Sequence, residues 1–142
     1  MPKQYRFVCC ALLFFFTCAT AHAGDGKLQL LDNAQDSEVM QQAARAFVRY
    51  IQNTIVINKK DLQKYMDSTV LLNGKAMQKE ALTPQLDAVL NERVATCVAQ
   101  SNVEEAIPMR GDTEFMVGSG CLWFSFKENN VEQPMIFAIN NK

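Results

Sequence analysis

The sequence predicts an α+β domain in which N-terminal helices pack on an antiparallel sheet. Apolar residues recur at intervals of three and four through residues 40–55, which is the period of an amphipathic helix. The last third of the chain instead alternates apolar with other residues and is broken by turn-forming glycine and asparagine, which is typical of strands. Helices followed by a run of strands favour a sheet with helices packed on one face.

The first helix is predicted to start at Ser37, a good N-cap, with Glu38 placed where the helix dipole favours negative charge. Segment 58–60 ends this helix, and Asp61 can cap a short second helix that runs to Tyr65 or Met66. The apolar stripe of the first helix comprises Met40, Ala43, Ala44, Phe47, Val48, Ile51 and Ile55.

The middle of the chain predicts a strand, a third helix and an extended segment. Ser68–Leu72 is apolar and β-branched, and the Asn73-Gly74 pair after it is a strong hairpin signal. Thr83-Pro84 opens the third helix, because proline is tolerated at the first helical position. Residues 91–100 are predicted to be extended, and residues 101–112 to form a polar strand edge or loop. The buried stripe of the third helix is Leu82, Leu86, Val89 and Leu90.

Three strands are predicted in the C-terminal third. Thr113–Val117 is the first, and Gly118-Ser119-Gly120 after it reads as a turn or bulge. Cys121–Phe126 carries large or sulfur-containing side chains on both sides, so we expect a central strand covered on each face. Residues 127–133 form a polar turn, and Pro134–Ile139 returns as the last strand of an antiparallel hairpin.

Residues 1–23 have the pattern of a signal peptide. Lys3 and Arg6 precede an apolar run of 13 residues, and Ala21-His22-Ala23 is a small-x-small cleavage sequence, so we expect cleavage between Ala23 and Gly24. A membrane anchor is the alternative, but a bilayer needs about 20 apolar residues. Neither Cys10 nor Cys18 follows a lipoprotein-type Leu-small-small sequence. The prediction is a periplasmic protein without stable membrane insertion, with a loose arm over 24–36 and a single domain over 37–142.

Removal of the signal peptide changes the chemistry available to the chain. Lys3 and Arg6 leave, so 12 basic residues face 15 acidic ones, and no basic cluster suggests a nucleic-acid partner. Two cysteines remain, and in an oxidising compartment Cys97 and Cys121 are expected to form a disulfide. A redox-active or metal-binding thiol pair is the alternative, but the two cysteines lack the Cys-x-x-Cys spacing.

The only histidine, His22, also leaves with the signal peptide. Without an imidazole the mature chain has no Ser-His-Asp triad, no thiol-histidine pair and no histidine-ligated zinc. We therefore predict no catalytic constellation, no metal site and no cofactor.

Four segments carry a resemblance to a known superfamily: Leu71–Gly74, Leu82–Val94, Val117–Phe124 and Ile136–Asn140. With the order of elements, they resemble small exported bacterial members of the nuclear transport factor 2-like superfamily, over residues 37–141. The resemblance implies a curved, cone-shaped (cystatin-like) sheet clasped by helices. It also implies possible homodimers through the sheet, while the members of this subgroup mostly have no assigned function. Catalytic members of the superfamily resemble ketosteroid isomerases and dehydratases.

Trp123 on the predicted central strand has two interpretations. It can fill the interior of the cone, or it can line a pocket open at the wide end. If the pocket exists, Tyr50, Arg110 and Phe137 are expected to form its wall together with Trp123.

Three functions remain open. The first is an exported, non-enzymatic binding or accessory protein that uses the sheet for a small-molecule ligand or a protein partner. The second is an immunity or inhibitor protein directed against a toxin or hydrolase, and the third is an enzyme of the isomerase or dehydratase type.

Overall fold

A six-stranded mixed sheet with helices on one face forms the body of the protein, which confirms the α+β class. The computed structural model describes residues 25–105, 107–110 and 113–142, with side chains over 36–105 and 113–142. The predicted signal peptide and its cleavage site at Ala23 and Gly24 lie outside the described residues. A boundary between Asp36 and Ser37 separates two units of the chain, and Ser37–Lys142 is the unit that holds the sheet.

Helix α1 spans Asp25–Ile57 and therefore starts twelve residues before the predicted N-cap Ser37. The prediction of a loose arm does not hold for the backbone of residues 25–36, which is helical. Good helix formers (leucine, glutamine, lysine and alanine) make up seven of the twelve residues of 25–36, and no proline interrupts the segment, so the helix can begin before Ser37. A 3₁₀ helix over Lys59–Tyr65 follows α1, where a short second helix was predicted.

Strands β1 (Met66–Leu72) and β2 (Lys75–Gln78) form the predicted hairpin. Asn73 and Gly74 both have positive φ, 52° and 80°, which is the requirement of a type I′ turn. Such a turn matches the twist of the two strands and so sets their register, with Leu72 opposite Lys75.

Short helical pieces connect β2 to α4. Where a third helix was predicted to open at Thr83, the structure has three short pieces: helix α2 (Lys79–Leu82), a 3₁₀ turn (Thr83–Gln85) and helix α3 (Leu86–Val89). The helical region therefore begins four residues before Thr83.

Helix α4 spans Glu92–Ala99, so the extended segment predicted over 91–100 is wrong. The Asn91 side chain caps α4 by accepting a hydrogen bond from the backbone N–H of Val94 at 3.1 Å. Val94 and Val98 are four residues apart, and both are fully buried. Residues with this spacing lie on the same face of a helix and also on the same face of a strand, so the spacing does not distinguish the two. The cap therefore outweighs the β-branched composition of the segment.

The remaining strands are β3 (Ile107–Arg110), β4 (Glu114–Val117), β5 (Leu122–Phe126) and β6 (Pro134–Ile139). Their order in the sheet is β2-β1-β6-β5-β4-β3. All neighbours are antiparallel except β1 and β6, which run parallel, so the prediction of a wholly antiparallel sheet is wrong at that one pair. A crossover through the helices and strands between β1 and β6 is what lets the two strands run in the same direction.

The hydrophobic core lies between the helices and one face of the sheet. Phe47 of α1 meets Phe124 of β5 edge to face, with ring centroids 4.9 Å apart. Phe124, Leu122 and Phe126 point into this core, whereas Trp123 and Ser125 on the opposite side are half-buried. Strand β5 is thus central in the sheet, as predicted, but the face that carries Trp123 and Ser125 is only half-buried, so the prediction of a strand covered on each face is wrong there.

The predicted disulfide between Cys97 and Cys121 is confirmed. It joins α4 to the start of β5, with the two Cα atoms 6.4 Å apart and a sequence separation of 24 residues. Among the helices that the structure describes, none combines the length and the hydropathy needed to cross a membrane.

Candidate binding groove on the outer sheet face

The outer face is the side of the sheet to which Leu71, Met116, Trp123 and Phe137 point, away from the core. Strand register places three of these residues in one row across the sheet, because Met116 and Ala138 pair with Trp123, and Leu71 pairs with Ala138. Adjacent strands are about 4.8 Å apart, so the row from β4 to β1 spans about 14 Å.

A β-bulge in β6 brings Phe137 into this row. Trp123 pairs with Ala138 and Phe124 pairs with Ile136, so Phe137 is an extra residue without a directly opposite partner on β5. Because of the extra residue, Ile136 and Ile139 both point into the core while Phe137 stays on the outer face. The bulge thereby sets an aromatic ring beside the Trp123 row.

Leu71, Trp123 and Phe137 line a groove of about 740 Å³, called the sheet groove below. Its floor is apolar, and it lies within the size range of small-molecule sites. Leu71 is 41% exposed although its neighbours on either side in β1 are more buried. The lining consists of Leu71, Asn73, Gly74, Glu114, Trp123, Phe137, Ala138, Ile139, Asn140 and Lys142.

The indole of Trp123 is held against the turn that precedes β5. A Cβ atom placed on Gly120 would lie 3.1 Å from Cζ2 and 3.3 Å from Cη2 of the indole, and 3.6 Å from Sδ of Met116. A Cβ atom here would crowd the ring, and the φ of Gly120, +89°, also favours glycine. The indole of Trp123 therefore packs closely against the backbone of this turn.

Polar groups surround the apolar floor of the groove. Glu114 on β4 pairs in register with Ser125, whereas Asn140 and Lys142 follow the end of β6. A carboxylate and an ammonium group thus flank opposite sides of the floor, where each can interact with a polar substituent of a bound molecule.

The predicted pocket residues divide into two sites. Trp123 and Phe137 line the sheet groove together, although this groove lies on the outer face and not at the wide end of a cone. Trp123 does not fill the core either, because it is half-buried on that outer face. Tyr50 lies elsewhere, on α1 among other aromatic residues. Arg110 lies in β3 opposite Glu114, and its side chain is outside the described residues.

Tyr50 belongs to an aromatic cluster with Phe47, Tyr65 and Lys64. The Tyr50 and Tyr65 rings meet edge to face at 5.3 Å, and Lys64 Nζ lies 5.7 Å and 4.9 Å from their respective centroids. Burial raises the pKa of Tyr50, but hydrogen bonds with Thr54, Tyr65 and Lys64 and the charge of Lys64 outweigh it and lower the pKa below its usual value. The hydrogen bonds with Tyr65 and Tyr50 in turn raise the pKa of Lys64.

A second, polar groove of about 890 Å³ runs along α4 beside the disulfide. Cys97 opens onto it with Ser119 Oγ 3.9 Å from Cys97 Sγ, and charges of both signs come from Glu92 and Arg93. Most of its lining side chains are polar or charged, and none is a large apolar side chain on which an apolar ligand could pack. Over the described residues, no group of three or more acidic, histidine or cysteine side chains is placed to hold a metal ion.

Sequence reasoning missed Leu71 and Glu114 in the groove lining, and also the contact between Gly120 and Trp123. Alternation along each strand could have assigned Leu71 and Trp123 to outward positions, but only the parallel pairing of β1 with β6 brings them into one row. The sequence indicated only that Gly120 belongs to a turn, and not that it contacts Trp123.

Comparison with known proteins identifies no relative. The chain matches no protein family, and no characterised protein or solved structure is significantly similar to it. The resemblance to the nuclear transport factor 2-like superfamily therefore stays a prediction.

Proposed function

We propose that this chain is a non-catalytic binding protein that holds a small molecule with a flat apolar body in the sheet groove. The observation that carries the proposal is the row of Leu71, Trp123 and Phe137 on a face where large apolar side chains remain accessible. Accessible aromatic side chains gathered on one surface are typical of binding sites, because isolated exposed residues do not form a continuous apolar floor.

The position of Trp123 supports a binding role. The indole already packs against Gly120 before any ligand arrives, so less entropy is lost in ordering it when a ligand binds. The flanking Glu114 and Lys142 give the groove a polar rim that can orient a substituted ring or chain.

The protein is proposed to act outside the cytoplasm, in the periplasm, after loss of residues 1–23. The Cys97–Cys121 disulfide supports this, because such bonds persist in oxidising compartments. Mass analysis of exported protein should give a chain that starts at Gly24, and a start before residue 22 would contradict the proposal.

Binding can be measured with N-phenyl-1-naphthylamine, an uncharged flat aromatic probe whose fluorescence rises in apolar surroundings. Trp123 is the only tryptophan of the chain, so energy transfer from tryptophan to the probe reports binding near the sheet groove. We expect saturable transfer that Phe137→Ala weakens about tenfold, since a lost aromatic contact is worth about 1 kcal/mol or somewhat more.

Tyr50→Phe is the matched control, because Tyr50 lies in the other aromatic cluster and its ring is retained. Unchanged affinity in Phe137→Ala, or an absence of saturable transfer in the unmodified protein, would overturn the proposal. So would a probe affinity that falls as protein concentration rises, since that would show a second copy occupying the outer face.

A further inference from the structure

The turn at residues 118–120 is packed between the disulfide and the sheet groove. A Cβ atom on Gly118 would lie 2.8 Å from Cys97 Sγ and 3.2 Å from Cys121 Sγ. Two residues later, a Cβ atom on Gly120 would lie 3.1 Å from the indole of Trp123. The two glycines thus bring the backbone of one turn into contact with sulfur at one end and with the groove wall at the other.

The backbone of this turn takes a conformation that suits glycine. Gly118 and Gly120 have φ values of +61° and +89°, in a region that other residues rarely adopt. The carbonyl of Cys121 accepts a hydrogen bond at 2.9 Å from the backbone N–H of Asn140, which itself lines the groove. The half-cystine is therefore linked to the groove through Gly120 and also through Asn140.

From these contacts we infer that the Cys97–Cys121 disulfide is a positioning element for Trp123, so that ligand binding in the sheet groove depends on the oxidised bridge. The inference rests on the proposed binding function of that groove. Without the bridge, the sulfur atoms no longer hold Gly118, and the turn that supports the indole can move away from it.

The bridge is open to reduction from the polar groove along α4. Cys97 is half-buried and lines that groove, whereas Cys121 is only 5% exposed, so a dithiol reductant reaches the Cys97 sulfur first. Its thiolate attacks Cys97 Sγ, the S–S bond breaks, and Cys121 leaves as a thiolate that takes up a proton. The second thiol of the reductant then displaces Cys97 as a thiol, and the reductant ends as a disulfide.

The test compares oxidised protein, protein reduced by dithiothreitol and the double variant Cys97→Ser/Cys121→Ser, all well below their unfolding midpoints. The readouts are acrylamide quenching of Trp123 and the affinity for N-phenyl-1-naphthylamine. We expect quenching to rise about twofold and affinity to fall about fivefold in both bridge-free forms, because one well-packed wall of the groove is lost. Gly118→Ala, which keeps both cysteines but crowds the sulfur atoms, should shift both readouts in the same direction.

Leu62→Ala is the control for a merely structural effect. Leu62 is fully buried in the 3₁₀ helix after α1, so its truncation lowers stability without touching the turn. It should leave the quenching of Trp123 and the probe affinity unchanged. Oxidised and reduced proteins with equal quenching and equal affinity would overturn the inference while leaving the binding function intact. If the unmodified protein binds no probe, the binding function fails, and equal quenching in the two redox forms would still refute the positioning role.

Discussion

Asn73 and Asn141 exchange two hydrogen bonds across 68 residues of sequence. The Asn73 side chain donates Nδ2 to Asn141 Oδ1 at 2.8 Å, and the backbone N–H of Asn141 donates to Asn73 Oδ1 at 2.9 Å. Asn141 Nδ2 also donates to the carbonyls of Ala88 and Val89, and Asn91 Nδ2 donates to the carbonyl of Asn141. The residues after β6 are thereby tied to the β1–β2 turn and to the helices before and after Leu90.

Truncation of this amide should weaken the fold. Asn141→Ala removes the three hydrogen bonds in which its side chain takes part, two of them part-buried, so we expect a loss of about 1–3 kcal/mol in the free energy of unfolding. Equilibrium urea unfolding measures this loss. Asn140→Ala is the matched control, because the neighbouring side chain is exposed and accepts only one long bond, at 3.4 Å from the N–H of Lys142. Equal losses in the two variants would argue against the network.

Loss of the disulfide should lower thermal stability. The two cysteines are 24 residues apart in the sequence. A bridge that closes a loop of this length stabilises a domain by roughly 3–4 kcal/mol in the chain-entropy model, so Cys97→Ser/Cys121→Ser should lower Tm by about 10 °C or more. Scanning calorimetry measures the change, with Ser119→Ala as a control beside the bridge. Free thiol detected at Cys97 in exported protein would show that the bridge is not formed in the cell.

Two turn glycines should respond differently to the same substitution. Gly74 and Gly120 both have positive φ, but a Cβ on Gly74 meets nothing within 4 Å, whereas one on Gly120 meets Trp123. Alanine at either position should cost about 1 kcal/mol or more through backbone strain. Only Gly120→Ala should also shift the emission of Trp123. An emission shift of the same size in Gly74→Ala would show that Trp123 responds to general loosening instead of to the Gly120 contact.

The phenol of Tyr50 should titrate below its ordinary pKa of 10.0, because hydrogen bonds and the charge of Lys64 outweigh the effect of burial. Folded protein then loses this proton at lower pH than unfolded protein does. The Tyr50 contribution to stability is thus fully present above the unfolded value and is lost as pH falls through the lowered folded pKa. For Lys64, whose pKa is raised, stability is present below 10.5 and is lost as pH rises through its folded pKa.

Lys64→Met should therefore raise the pKa of Tyr50, which ultraviolet difference titration can follow. Lys60→Met is the control, because Lys60 is an exposed neighbour four residues earlier in the same 3₁₀ helix. If Lys64→Met leaves the titration of Tyr50 where it was, the ammonium group does not lower that pKa.

Helix α4 shows why part of the fold escapes sequence reasoning. Alternating β-branched residues over 91–100 favour a strand, yet the Asn91 cap and the packing of Val94 and Val98 in one core favour a helix. Gln52 of α1 secures the helix end by donating to the carbonyls of Val98 and Ser101 at 3.1 and 2.8 Å. These bonds join segments nearly fifty residues apart, which a local pattern does not contain.

The α+β class, the Asn73-Gly74 hairpin and the pairing of two cysteines could all be determined from the sequence alone. Each depends on neighbouring residues, on local period, or on there being two cysteines once the predicted signal peptide is removed. The tertiary structure alone decided that β1 lies parallel to β6 and that a bulge turns Phe137 outward, so that Leu71, Trp123 and Phe137 share one face. Local propensity acts over a few residues, whereas the pairing of distant strands is settled by which arrangement buries the whole inner face of the sheet.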